Sequence, residues 1–534
     1  MLYFNLLRSN LIGKRFIFLG SIILFSVSCR KNDYILNPPV IAVDMVIPAD
    51  SVKLNPFGHA PLSAIVNFLS PVEGQTVIIV KGKNGAASDI EHVFNDNGSF
   101  HSVPVIGLYA DFLNTVDLKL INNKGDTVAK TSINIQTGPL PPNMPTSIVP
   151  DIHETGKVEK GINLVNNFSA GVPLQYTPGN PQIPLMVDNY GDIRWLLDFT
   201  THPDLNALFY DNGIKRLRNG NFYFGDWWSN KIYEVDILGK IANTWDLAGS
   251  GFVFHHQVVE KPDGDFIISV TKKNSETIED FVIELERESH NIKTVWDLKE
   301  SLDRERTALA DGFYSYSDWM HVNAVLYDST DNTIVVSGRH QGVAKLTFDN
   351  TVKWILSPHR GWGRNGKGED MQQFLLTPLD AAGNKITDSA VLNGSANHPD
   401  FEWCWYMHTP IALPNGNYMF FDNGSVRNYN EAAPRYSRAV EYKIDPVNMT
   451  IQQKWQYGKE RGLETFSLIV SSVQYLPATN HVLFSAGFRV PNKNGVGGKV
   501  VEIDYATKQV VLELSFSAAN QWGFHQVERI NAYP

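Results

Sequence analysis

From about residue 150 onward the sequence repeats itself, and this restricts the fold more than any other feature. One unit is an apolar strand, a turn opened mostly by a carboxylate, and a second strand ending near a large apolar residue. It runs over 184–188 to Trp195, 232–236 to Trp245, 282–286 to Trp296, 342–346 to Trp354, 440–445 to Trp455 and 500–504 to Leu514. A second unit lies between these copies. It starts at Asn212, His256, His321, His408 or Ser471 and reaches an apolar strand through a turn such as Pro262-Asp263-Gly264 or Pro414-Asn415-Gly416. Two hairpins per repeat, six times over, predict an all-β chain: a six-bladed β-propeller with four-stranded blades around a channel. The strand at 524–530 begins like the second unit and then stops, as ring closure by both termini requires. An open β-solenoid is the competing reading, but its repeats are shorter and more regular. The long insert at 358–407 reads as a loop excursion from the rigid ring.

Short alternating runs at 63–68, 75–80, 116–121 and 127–135, between Gly/Asn clusters over 61–136, predict a small β-sandwich ahead of the propeller (151–534). The Pro-rich stretch 137–150 is the linker, and 29–60 reads as an extended tether. At the N-terminus, Arg8, Lys14 and Arg15 precede a short apolar run and then Ser26-Val27-Ser28-Cys29. That pattern describes a signal peptide over 1–28. Its last residues resemble a lipoprotein signal, in which Cys29 carries the lipid. The expectation is an exported protein, periplasmic or in the cell envelope, touching the membrane only through that anchor. The chain has 2 cysteines, so a disulfide scaffold is excluded, and a lipidated Cys29 leaves Cys404 unpaired. A net charge of −10 argues against a nucleic-acid partner.

Innermost strands line a propeller channel, so the starts of the second unit converge at one end. Three histidines, His256, His321 and His408, share that position with Asn212 and Ser471. Strand alternation turns the adjacent His255 outward and puts Asn323 on the same face as His321. Arg339 ends the hairpin that His321 begins. An Arg beside several His suits an anion. Three His also suit zinc, but the Arg and the lack of an Asp or Glu at an equivalent position oppose a metal, and none is expected. The chain has no phosphate loop, no Gly-x-Ser-x-Gly and no His-Glu-x-x-His.

At these residues the chain resembles the bacterial arylsulfate sulfotransferases. The similarity is carried by Asp318-Trp319-Met320-His321-Val322-Asn323, Ser337-Gly338-Arg339-His340-Gln341, Met407-His408-Thr409 and Trp455-Gln456-Tyr457-Gly458-Lys459-Glu460-Arg461-Gly462. It covers about residues 40 to 534. The resemblance implies a periplasmic six-bladed propeller behind a small β-sandwich, using no nucleotide donor and no cofactor. His408 is then the nucleophile that takes the sulfuryl group, His256 the acid and base, and His321, Asn323 and Arg339 the groups around it. An aryl sulfate is the donor and a phenol the acceptor, with a homodimer left open. The chain departs from the family in lacking a disulfide near the nucleophile and in offering Ser471 where members place a Thr. Trp227, Trp228, Trp403 and Trp405 are candidates to sandwich aryl rings, with blade packing as their other reading. An aryl sulfatase, or a propeller that only binds a sulfated or phenolic ligand, are the rival functions.

Overall fold

A computed structural model describes residues 40–534 apart from 143, 169–177, 311 and 313. The expected signal peptide and the lipidation site Cys29 lie outside the described residues. The sandwich is built around one long strand, Ser63–Val80, which takes part in both sheets. Its first half pairs with Val52–Leu54 and Gly98–Ile106, and its second half with Ile90–Val93 and Leu113–Ile121. Thr127–Gln136 and Val43–Asp44 extend the second sheet. The bend falls where the ladder shifts register between Leu69 and Gly74. A Cβ at Gly74 would stand 2.9 Å from the carbonyl oxygen of Ile121, so only glycine fits the turn-over point.

Two expectations are corrected here. The runs 63–68 and 75–80 are one continuous strand, because a bulge bends a strand without ending it. The tether also stops short of residue 60: Val43–Asp44 and Val52–Leu54 are sheet strands.

The propeller has six blades, as the repeats predict. In order from the channel outward, blade I is Phe524–Ile530, Ile162–Asn167, Leu185–Val187 and Ile193–Leu196. Blade II is Lys215–Arg216, Phe222–Asp226, Lys231–Val235 and Ile241–Asp246. Blade III is Phe252–Glu260, Phe266–Lys272, Phe281–Leu285 and Ile292–Asp297. Blade IV is Val322–Asp328, Thr333–Gly338, Gly342–Leu346 and Val352–Leu356. Blade V is His408–Ala412, Tyr418–Asp422, Arg438–Asp445 and Thr450–Tyr457, with Thr377–Leu379 added in parallel at its outer edge. Blade VI is Ser472–Leu476, His481–Asn492, Gly495–Asp504 and Val510–Ser517, with Ser147–His153 outside. The ring is therefore closed twice, by a C-terminal strand on the inside of blade I and an N-terminal strand on the outside of blade VI. Ser147–His153 pairs with Val510–Ser517, which moves the start of the propeller into the expected linker.

The recurring tryptophans explain how neighbouring blades hold together. Trp195, Trp245, Trp296 and Trp455 donate their indole N–H at 2.8 Å to the carbonyls of Ile237, Arg287, Thr347 and Tyr505, each on the next blade. Each ring fills an inter-blade gap while its one polar atom stays satisfied. The recurring Asp closes the hairpin turns: Asp236 accepts from the amides of Leu238 and Lys240, and Asp188 from those of Tyr190 and Asp192.

The insert at 358–407 packs on blade V rather than standing free. Trp403 and Trp405 are fully buried within it, against Phe401 and Tyr429. Their packing here matches the blade-packing reading.

Candidate active site

The six inner strands begin at one end of the channel, and each contributes one residue there: Asn212, His256, His321, His408, Ser471 and His525. They are mutual neighbours. The Asn212 amide donates to the His256 carbonyl and the Ser471 amide to that of His525. The rings of His256 and His321 lie 5.1 Å apart, and those of His408 and His525 5.9 Å apart. Register shifts break the inner ladders here, between Phe254 and Val258, Val322 and Ala324, His408 and Ile411, and Phe524 and Val527. His256 and His321 each sit at φ 51°, Thr409 at 49° and Ser471 at 87°. Non-glycine residues at positive φ are held only where surrounding structure enforces them, and bulges re-aim side chains.

This geometry overturns the outward placing of His255. It is buried, and its Nδ1 lies 3.3 Å from that of His256. Alternation fails because both residues lie within the bulge between Phe254 and Val258. Burial pushes the His255 ring down to about 4, so it is neutral.

Carboxylates that sequence reasoning did not find stand behind two of the histidines. Nδ1 of His256 lies 3.0 Å from Asp211 and 3.9 Å from Glu279. Nδ1 of His321 lies 2.9 Å from Glu279 and 2.7 Å from Asp318. Burial alone would neutralise both rings, but these carboxylates outweigh it. His256 is raised above the ordinary imidazole value and His321 is raised to about 10. Asp211 is held at about 2, where the nearby His256 and His525 overcome its burial. Both imidazoles spend Nδ1–H on carboxylates and keep Nε2–H as a donor. No Asp or Glu stands at the repeat position itself; the acids come from flanking segments, which the sequence reading did not consider.

His408 differs. It is 4% exposed, and its Nδ1 lies 2.7 Å from Oδ1 of Asn423. The Asn423 amide nitrogen donates to the carbonyls of Ser467 at 2.8 Å and Val470 at 3.0 Å. Burial is the main cause that holds His408 well below the usual imidazole range, reinforced by His525, Arg339 and His256. His525, at the same register on blade I, is buried and pushed down to about 3 by burial. The strand 524–530 was legible in the sequence. Its histidine could have been found by aligning Phe524-His525-Gln526-Val527 with His255-His256-Gln257-Val258.

The other expected residues divide. Arg339 is buried beside His321, whose carbonyl accepts from its backbone amide at 3.0 Å, and its guanidinium lies 5.3 Å from the Tyr406 ring centre. Asn323 is fully buried and donates at 2.9 Å to the carbonyl of Met407, so one amide N–H braces the peptide ahead of His408. Asn212 donates in turn to the Asn323 carbonyl. Ser471 is at the expected register, but its hydroxyl donates to Ser467 at 2.8 Å and accepts from the Gly487 amide at 3.0 Å. Those two bonds commit the hydroxyl to bracing blade VI. Trp227 and Trp228 follow the second strand of blade II at this end, 42% and 54% exposed and packed edge to face.

Among the described residues, two groups at this end of the channel have the geometry to hold a cation: His255, His256 and Glu279, and Asp318, His321 and His340. In each, a carboxylate already holds an imidazole Nδ1–H, so a proton and a cation compete for one place. A third group, Asp263, Asp265 and Glu284, is neutralised by Lys261 and Lys293.

The sequence model described as Arylsulfotransferase (ASST) matches residues 149–525, and the Arylsulfotransferase Ig-like domain matches 51–138. The chain is 30% identical to "Arylsulfate sulfotransferase AssT" of Escherichia coli O6:H1, over 87% of this chain and 89% of that one. It is 29% identical to the protein of the same name from Lelliottia amnigena, with the same coverage. Among solved structures it is similar to "Streptogramin B lyase structure" at 12% identity and TM-score 0.31, covering 70% of this chain and 98% of that one.

Proposed function

The chain belongs to the arylsulfotransferase family and is an arylsulfate sulfotransferase, and on that footing we propose that it works through a covalent sulfohistidine at His408, without a nucleotide donor. The observation that carries this reading is the setting of His408, a buried imidazole whose Nδ1 meets an amide oxygen rather than a carboxylate, with Arg339 and His256 nearby. A buried, uncharged imidazole keeps a lone pair, and the positive groups around it suit a sulfate ester.

Nε2 of His408 attacks the sulfur of the aryl sulfate. The N–S bond forms as the S–O(aryl) bond breaks, and the electron pair leaves on the aryl oxygen. His256, held protonated by Asp211 and Glu279, gives its Nε2 proton to that oxygen, and a phenol departs. A second phenol then returns its proton to His256 and attacks the sulfur. The N–S bond breaks and His408 is restored. His321 and Arg339 meet the sulfuryl oxygens as charge spreads over them. Donors fixed in a low-dielectric site act most strongly where charge develops. Asn323 holds the peptide before His408 and has a second amide N–H for the sulfuryl group.

The test uses a chromogenic aryl sulfate with and without a phenol. Colour that depends on phenol supports transfer, whereas colour without it means hydrolysis. Mass spectrometry of protein exposed to donor alone should find one sulfuryl group on the His408 peptide, and label on another residue would remove the covalent route. Export and anchoring through Cys29 belong to the same reading.

A further inference from the structure

We propose that Asn423 is a positioning residue that fixes His408 as the Nδ1–H tautomer and so presents Nε2, with its lone pair, to the sulfur. The proposal rests on the reading of His408 as nucleophile and adds what makes that ring competent. Imidazole has two nitrogens, and an uncharged ring in the wrong tautomer offers no lone pair at Nε2.

The assignment follows from accounting for every polar atom of Asn423. Its side-chain nitrogen donates to two carbonyls, those of Ser467 and Val470. Carbonyls cannot donate, so the amide cannot be flipped, and its oxygen must face His408. That oxygen only accepts, so the proton lies on Nδ1 of His408. Nε2 points to the opposite side of the ring, away from Asn423. The Asn423 backbone is held as well, since Ser437 Oγ donates to its carbonyl at 2.8 Å and accepts from the Ser467 amide at 2.9 Å. Asn423 directly follows Tyr418–Asp422, the strand that pairs with His408 through Phe421.

The contrast across the channel gives the choice of residue a reason. At one repeat position, the group behind Nδ1 sets what each imidazole does. Asp211, Glu279 and Asp318 stand behind His256 and His321, which stay protonated and act as donors. A neutral amide stands behind His408. His525, Arg339 and His256 act on His408 from the other blades, and none of these is an anion; the carboxylate of Asp211 stands behind His256 and His525. A carboxylate in place of Asn423 would draw a proton onto the ring and abolish its lone pair at neutral pH. It would also stabilise the positive charge on the sulfurylated ring and slow its onward transfer. An amide orients the ring without either effect.

The first measurement needs no substitution. In protein labelled with 15N-histidine, signals of His408 are assigned by their loss in His408→Asn. The expected result is a protonated Nδ1 and a bare Nε2 at neutral pH, unchanged on mild acidification. A protonated Nε2, or a charged ring at neutral pH, overturns the proposal. The second measurement is the pH profile of phenol release in Asn423→Asp. Its acid limb should move up by about one pH unit or more, with KM for the donor little changed. A folded Asn423→Asp protein with the wild-type acid limb also overturns it. If the sulfuryl label in wild type lies elsewhere than His408, the nucleophile reading fails. If it lies on His408 but the tautomer is reversed, only the role of Asn423 fails.

Discussion

Glu279 holds His321 twice. Its carboxylate lies 2.9 Å from Nδ1 of His321, and its backbone carbonyl accepts from the amide of the next residue, Val322, at 2.9 Å. Both residues sit at positive φ, 54° and 51°. The junction of blades III and IV is therefore fixed in backbone and in charge by the same residue, and the strain it carries lies where chemistry is proposed.

Glu279→Gln removes that charge and leaves the shape. His321, raised to about 10 with Glu279 as the leading counterweight to burial, should lose its proton at a lower pH. If the imidazolium meets the sulfuryl group, the alkaline limb of kcat/KM for the donor moves toward neutrality. A limb that does not move places the needed charge elsewhere.

Stability should also depend on pH on both sides. The folded-state value of His321 is raised, so its contribution is complete below the ordinary 6.5 and is lost as pH climbs through about 10. His525 is depressed to about 3, so its contribution is present above 6.5 and is lost as pH falls toward 3. Melting temperature against pH should form a dome with its top near neutrality. His525→Asn should flatten the acid side and Glu279→Gln the alkaline side.

Arg339→Lys keeps the charge but loses the planar fork that matches two sulfuryl oxygens. The barrier of the first step, read from single-turnover phenol release, should rise by about 2–4 kcal/mol by analogy with other transition-state donors. Donor affinity should change less. A normal rate with a lowered melting temperature would make Arg339 structural.

Trp296→Phe tests the inter-blade straps. Trp296 is fully buried, and its indole N–H serves the Thr347 carbonyl on the next blade. Losing that donor should cost about 1–3 kcal/mol, measured by urea unfolding. Phenol release at low temperature should be unchanged, since the strap lies at the outer edge of the blade.

Cys29→Ala tests the anchor. Wild type should fractionate with membranes and the variant should not. Wild type recovered wholly in the soluble fraction would discard lipidation.

The sequence by itself determined the ring. Two hairpins repeated six times leave little choice of architecture, and residues at one repeat position must converge, so His256, His321 and His408 could be placed together before any coordinates. The tryptophans and turn aspartates were visible for the same reason, because each does one local job in every copy. Tertiary structure decided what the convergent residues can do. Strand alternation assumes an unbroken ladder, and the bulge between Phe254 and Val258 breaks it, which is why His255 turns inward. Asp318 stands three residues before His321 and Asn423 reaches His408 from the neighbouring strand of the same blade, but Asp211 and Glu279 reach the histidines only when blades are set side by side. No spacing in a sequence encodes that approach. Ser471 shows the converse. Its register was legible, but its hydroxyl was not known to be committed until Ser467 and Gly487 were seen around it. Charge and tautomer depend on which atom stands a few ångströms away, and that is settled only by packing.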